Sequence, residues 1–200
     1  METAYIGMGA NLPSAAGPPE ATLARAAERL EELGRVTARS HLYSTAPVGF
    51  ADQPRFVNAV VALETELAPR ALLEGLLKLE REFGRDRTTG IANGPRTLDL
   101  DLLLFGSLIV DEPDLKVPHP RMEERAFVAV PLAEIAPGLC DPRTGVPVRK
   151  WMQRLFPIPA GVESQNVEFI QSTSWRSMRD CGASAGGAAG ADDAGDGDRG

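Results

Sequence analysis

Apolar residues recur along the chain with two different periods, and the switches between them mark out the elements. Residues 3–8 form a short apolar run, read as a buried strand feeding a tight loop through Gly7-Met8-Gly9-Ala10-Asn11-Leu12-Pro13. The two glycines suit either a plain turn or a close approach of backbone to a ligand. Over residues 18–33 the period lengthens to that of a helix, with Leu23, Ala26, Ala27, Leu30 and Leu33 on one stripe. Pro18 and Pro19 suit its first turn, Glu20 complements the positive end of its dipole, and Gly34 is read as its stop. Residues 36–44 read as a second strand and the Pro- and Gly-bearing 45–54 as a loop. A third strand follows over 56–65, with Phe56, Asn58, Val60, Ala62 and Glu64 on one face. A second helix is predicted over 69–83, its stripe being Leu72, Leu73, Leu76, Leu77 and Phe83, with Gly84 ending it.

The polar stretch 85–94 then delivers the chain, through Gly94-Pro95, to the strongest strand signal of all. Leu98, Leu100, Leu102 and Leu104 alternate with Asp99 and Asp101, so both carboxylates are expected on one face, about 6.6 Å apart along the strand. Asp is depleted in strands, and two like charges at that range repel unless a cation lies between them. A rigid pair of this kind suits Mg²⁺, which takes hard oxygen ligands and shares them with phosphates. Arg85, Arg87 and Arg96 flank the pair in sequence, which suggests a polyphosphate held by metal and guanidinium together. Beyond it, residues 108–110 are expected to form a short strand, and Val117-Pro118-His119-Pro120-Arg121 is extended, because residues before proline avoid the helical region. His119 could therefore present its ring to the site. Residues 122–135 read as a third helix that Pro131 kinks or splits. Trp151, Leu155 and Phe156 suggest a short closing segment, after which only Val162, Val167, Phe169, Ile170 and Trp175 could dock.

Two further residues stand out against this pattern. Asn58, a poor strand former, shares its face with Phe56; an aromatic ring beside an amide is what a flat heterocycle needs, although from the segment alone an edge Asn bonded to nearby backbone is the better reading. Glu80 falls on or beside the buried face of the second helix and requires a partner, either in a local ion pair with the arginines that follow or beneath the next loop.

Composition changes the picture mainly at the C-terminus. Residues 181–200 hold seven Gly, six Ala, four Asp and one Arg, with no large apolar residue, and are expected to be disordered. Removing that net charge of −3 from the chain's −7 leaves −4 for the rest, so no overall field attracts nucleic acid. Cys140 and Cys181 make no disulfide framework, which fits a reducing cytoplasm. No signal-peptide pattern, membrane-length apolar run or internal repeat is seen.

Taken together, five pieces resemble the 6-hydroxymethyl-7,8-dihydropterin pyrophosphokinase family of folate biosynthesis. They are Ala4-Tyr5-Ile6-Gly7-Met8-Gly9-Ala10-Asn11-Leu12; Tyr43-Ser44-Thr45-Ala46-Pro47-Val48-Gly49; Asp52-Gln53-Pro54-Arg55-Phe56-Val57-Asn58-Ala59; Gly94-Pro95-Arg96-Thr97-Leu98-Asp99-Leu100-Asp101; and Val117-Pro118-His119-Pro120-Arg121-Met122. The resemblance spans about residues 4–137. It implies an α+β, ferredoxin-like antiparallel sheet flanked by helices, in a catalytic domain placed over 1–160; residues 161–180 are read as an extension and 181–200 as the disordered tail, which has no counterpart in the family. It also implies transfer of the β,γ-diphosphate of ATP to the hydroxymethyl group of the pterin, leaving AMP, with two Mg²⁺ ions. By the same resemblance Asp99 and Asp101 hold the metals, while Glu80, Arg85, Arg96, Leu102, His119 and Arg125 serve the nucleotide. Thr45, Val48, Phe56, Asn58 and Phe127 form the pterin pocket. Arg87 closes over the site, making Arg85, Arg87, Arg96, Asp99 and Asp101 the catalytic set. The expected partners are ATP and the pterin, with neither nucleic acid nor membrane, and the protein is expected to be a monomer. Two departures stand out: Asn93 replaces a tryptophan before Gly-Pro-Arg, in a loop one residue longer, and Pro120 replaces an aromatic after the histidine. The competing readings are a metal-dependent phosphohydrolase, which has no use for a heterocycle pocket, and a ferredoxin-like RNA-binding module, which would want aromatics where Asp99 and Asp101 stand.

Overall fold

In the computed structural model, which describes residues 1–86, 93–155, 167–173 and 175, the first apolar run is strand β1 (Glu2–Ala10). It runs straight through Gly7 and Gly9, which pair on both sides, so regular sheet takes the place of the loop expected there. Helix α1 (Pro19–Arg29) tightens into a 3₁₀ turn (Leu30–Glu32), so it has ended before Gly34 is reached. Gly34 has a different reason: a Cβ there would lie 2.3 Å from the Glu64 carbonyl oxygen, where the chain passes close against strand β4 (Phe56–Thr65).

The single strand expected over 36–44 is two, β2 (Arg35–Arg39) and β3 (Leu42–Thr45), both antiparallel to β4. A side chain causes the break. Ser40 Oγ accepts the Val60 amide at 3.0 Å, taking a place the ladder would give to a carbonyl. The Ser40 carbonyl is thereby freed and accepts the Trp175 indole N–H at 2.8 Å.

Helix α2 (Pro69–Glu82) leads to β5 (Asp99–Phe105), and β8 (Val167–Ile170) joins the far edge, giving the sheet order β5-β1-β4-β3-β8 with β2 beside β4. With β2 and β3 counted as halves of one strand, this is the βαββαβ arrangement of the ferredoxin-like fold, all neighbours antiparallel. The short strand expected at 108–110 is displaced into a separate hairpin, β6 (Val110–Glu112) with β7 (Leu115–Val117). The segment beyond the expected catalytic domain is part of the same sheet: β8 pairs with β3, and Trp175, 4% exposed, packs into the main core. Residues 181–200 lie outside the described residues.

Burial divides the sheet into two faces. One carries Ala4, Ile6, Met8, Val57, Ala59, Val61, Leu98, Leu100 and Leu102 and is covered by α1 and α2. The other carries Val60, Leu103 and Leu104 and is covered over part of its area by α3 (Ala126–Ile135) and α4 (Val148–Leu155), whose Trp151 is fully buried. The strict alternation expected through Leu104 fails at a bulge, where Ile6 faces Leu102 and Tyr5 faces Leu104. Leu103 is the extra residue, so Leu104 changes face and Phe105 takes its place in the first core. The third helix is split as expected, but at Arg125, which is extended (φ −107°, ψ 109°) between a 3₁₀ turn (Met122–Glu124) and α3. Pro131 sits within α3, where it withholds one N–H from the Phe127 carbonyl without ending the helix.

Candidate active site

The uncovered part of the second face holds the polar residues. In register, Asp99 lies opposite Gly9 and Gly9 opposite Asn58; one step along, Asp101 lies opposite Gly7 and Gly7 opposite Val60. Partners across an antiparallel ladder share a face, so Asp99, Asp101 and Asn58 all project to the same side across a middle strand that has no side chains there. A Cβ on Gly9 would stand 3.0 Å from Asn58 Oδ1, so glycine leaves room for that amide.

The two carboxylates differ sharply in their surroundings. Asp99 is paired with Arg85 on one oxygen, and Arg96 Nε lies 3.0 Å from the other. Arg85 also donates to the Leu98 carbonyl (3.1 Å) and to Glu80 Oε1 (2.9 Å). Burial works against the Arg85 charge, but Asp99 and Glu80 outweigh it and raise the guanidinium above its ordinary range. Glu80, 1% exposed, accepts the Leu100 amide at 2.9 Å through the same oxygen. The local ion pair expected for Glu80 is present, and the same oxygen also anchors the start of β5. Asp101 has no such support. Its nearest cation is Arg125 at 4.0 Å, and burial and then the Asp99 charge push it up to about 6. A half-neutralised pair of carboxylates open to a cleft is a fitting seat for a divalent cation whose remaining ligands come from phosphate and water. Among the described residues no cluster of three or more His, Cys, Asp or Glu offers a closed metal cage.

Beside the carboxylates opens a cleft of about 280 Å³, lined by Thr45, Val48, Phe56, Asn58, Arg96, Arg125 and Phe127, with Gly49, Asn93, Arg121 and Glu124 at other points of its wall. Asn58, 5% exposed, donates from Nδ2 to Thr45 Oγ1 at 2.8 Å, which fixes the orientation of its amide. Guanidinium groups stack on both rings, Arg96 over Phe56 at 4.8 Å and Arg125 over Phe127 at 5.4 Å. Aromatic, amide and cationic surfaces thus meet in one depression. His119 is held by its amide on the Leu103 carbonyl (2.8 Å), and burial, then Arg125 and Arg121, lower its ring to about 4. It is therefore a neutral hydrogen-bonding group at physiological pH.

Leu102 does not share this surface. Its side chain, 5% exposed, lies in the core on the opposite face, which leaves only its backbone for a nucleotide. Arg87 lies outside the described residues. Two polar residues given no role in the sequence reading build the rim. Asn11, 3% exposed, donates to Gln53 Oε1 and the Pro54 carbonyl, both at 3.0 Å, and accepts the Arg96 amide at 2.8 Å. Gln53 donates in turn to the Phe50 carbonyl (2.7 Å) and the Asn93 carbonyl (2.8 Å). Together they tie the loop after β3 to the loop before β5. Both fall inside stretches that resemble the family, but nothing local in either stretch marks a bond between loops.

A model of the 7,8-dihydro-6-hydroxymethylpterin-pyrophosphokinase (HPPK) family matches residues 5–137, the stretch that supplies every residue of this site. The chain belongs to this family. Relatives named 2-amino-4-hydroxy-6-hydroxymethyldihydropteridine pyrophosphokinase extend the likeness beyond the matched stretch. The protein of Pseudomonas aeruginosa is 51% identical over 70% of this chain and 83% of its own length. Those of Methylorubrum extorquens and Bacillus subtilis are 44% and 39% identical, over 82% and 86% of this chain and 98% of their own lengths in both cases. Among solved structures, wild-type Plasmodium falciparum HPPK-DHPS superposes with a TM-score of 0.60 at 13% identity, covering 76% of this chain. This chain spans only 44% of that one, and the likeness is one of fold. The ferredoxin-like HPPK architecture is thus reached both from strand order and by superposition.

Proposed function

We infer that this HPPK chain transfers the β,γ-diphosphate of ATP to the hydroxymethyl group of 6-hydroxymethyl-7,8-dihydropterin, a step of folate biosynthesis. One observation carries the reading: a cleft with two rings and an oriented amide shares Asn58, Arg96, Arg125 and Phe127 with a smaller pocket lined by the two carboxylates, which arginines flank. In this reaction the hydroxyl oxygen bonds to the β-phosphorus, the bond from that phosphorus to the AMP oxygen breaks, and the hydroxyl gives up its proton.

The residues divide this work as follows. Phe56 and Phe127 take the faces of the heterocycle, and Asn58, with backbone at Thr45 and Val48, reads its polar edge. Arg96 and Arg125, each already resting on one of those rings, hold the triphosphate at the end of the cleft, with neutral His119 as a further hydrogen-bond partner. Arg85, fixed by Glu80, holds Asp99 in place and adds positive charge behind the phosphates. Arg87 closes over the bound substrates. Asp99 and Asp101 would hold two Mg²⁺ ions, which supply charge neutralisation and alignment of the phosphates when bound. The surrounding chain excludes water, so that transfer to the pterin outcompetes hydrolysis. We place the reaction in the cytoplasm, with the protein acting as a monomer; among the described residues no helix is long and apolar enough to cross a membrane.

The test is incubation with ATP, Mg²⁺ and the reduced pterin. The expected product is AMP, formed only when the pterin is present. ADP, free phosphate or pterin-independent turnover would point to a different phosphate chemistry.

A further inference from the structure

Arg121 lies at the mouth of the cleft, outside the set of residues assigned above. It lines the same depression as Phe56, Asn58 and Phe127. Its backbone is fixed from both sides: its amide donates to His119 Nδ1 at 3.3 Å, and its carbonyl accepts the Glu124 amide at 3.4 Å in the 3₁₀ turn that follows. The guanidinium is exposed and, among the described residues, has no carboxylate paired with it. Asp99 is engaged by Arg85 and Arg96, and Asp101 faces Arg125 at 4.0 Å; the wall of the cleft itself holds one carboxylate, Glu124, against the three arginines Arg96, Arg121 and Arg125. Arg121 therefore adds positive charge to a wall that already holds two other arginines. That crowding is felt by its neighbours: after burial, the Arg121 charge is the next cause lowering Arg125, and it also depresses His119. An excess of like charges round a cleft is relieved when an anion enters it.

Both substrates pass this wall, but only one of them is anionic. The pterin is neutral when it arrives and carries a diphosphate when it leaves. We propose that Arg121 is a further phosphate-binding residue of this HPPK, which grips the diphosphate as it passes from ATP to the pterin and retains the diphosphorylated product. The proposal rests on the reaction inferred above. An arginine suits the task because its planar fork matches two phosphate oxygens at once.

The experiment uses the full chain and its Arg121→Ala and Arg121→Lys variants. AMP formation by the wild type comes first; its absence would remove the inferred reaction, whatever Arg121 does. Given that activity, dissociation constants are measured for the reduced pterin, for a non-hydrolysable ATP analogue with Mg²⁺, and for the pterin diphosphate. The expected result for Arg121→Ala is an unchanged constant for the pterin and one about tenfold weaker for the pterin diphosphate, with Arg121→Lys recovering part of the loss. The ATP analogue is expected to weaken in the same direction. Equal weakening of pterin and pterin diphosphate would make Arg121 part of the pocket wall and overturn the proposal. Unchanged binding of the diphosphate would overturn it too, leaving an ordinary solvated arginine.

Discussion

Asn58 is a residue whose type conflicts with its setting. It lies buried near the start of β4 among apolar neighbours, and its orientation is set by Thr45 rather than by the backbone ladder. Thr45 offsets part of the cost of burying the amide, and the amide still lines the cleft, where a ligand can use it. We expect Asn58→Ala to weaken pterin binding by about 1–3 kcal/mol while ATP-analogue binding stays near wild type. Calorimetric titration with each ligand separates the two, and equal losses would make Asn58 structural. His119 gives a prediction with a pH signature. Its ordinary value of 6.5 falls to about 4 in the folded protein. As pH drops from 6.5 towards 4, the unfolded chain takes up a proton that the folded site refuses, so folding stability is lost across that window. His119→Gln removes this contribution. The fall in melting temperature between pH 7 and pH 5 should be smaller in the variant than in the wild type, and parallel curves would refute the cause given.

Elements were legible in the sequence wherever burial alone chose the period. The alternation of β5 and the stripes of α1 and α2 are of this kind, and Asp99 and Asp101 were found through them. What escaped was set by contacts distant in sequence. The bulge that moves Leu104 to the second face depends on how β1 meets β5. The break between β2 and β3 depends on Ser40 trading a ladder bond for a contact with Trp175. Asn11 and Gln53 likewise act between loops, which no local pattern announces. The Ser40–Trp175 contact makes the C-terminal segment a structural member of the sheet, helped by Arg55, whose guanidinium lies 3.4 Å from Glu168. Trp175→Ala should therefore lower unfolding free energy by about 3 kcal/mol or more, read as a lower urea midpoint at an unchanged slope. A change below about 0.5 kcal/mol would show that the segment rests on the sheet without supporting it.

For the whole molecule, the sheet separates two duties. The face under α1 and α2 carries the larger apolar core, whereas the other is divided between a core under α3 and α4 and the cleft. Residues 181–200 have no apolar side chain larger than alanine apart from Cys181, and so nothing with which to join either face. Deleting them should leave melting temperature and AMP formation nearly unchanged. A loss of several degrees would assign that segment a docking place.

The row Asp99–Gly9–Asn58 is also a ruler. Adjacent strands stand about 4.8 Å apart, so the backbone positions that carry the amide and the carboxylate are held roughly 9.6 Å apart by the hydrogen bonds of the sheet. Such a gauge measures the distance from ring edge to nucleophile in whatever occupies the cleft. A pterin with hydroxyethyl in place of hydroxymethyl would keep its ring contacts but carry its oxygen about an ångström too far, which should lower turnover roughly a hundredfold at little cost in binding. Comparable turnover of the two alcohols would mean that the site stretches to fit its substrate and that the sheet sets no length.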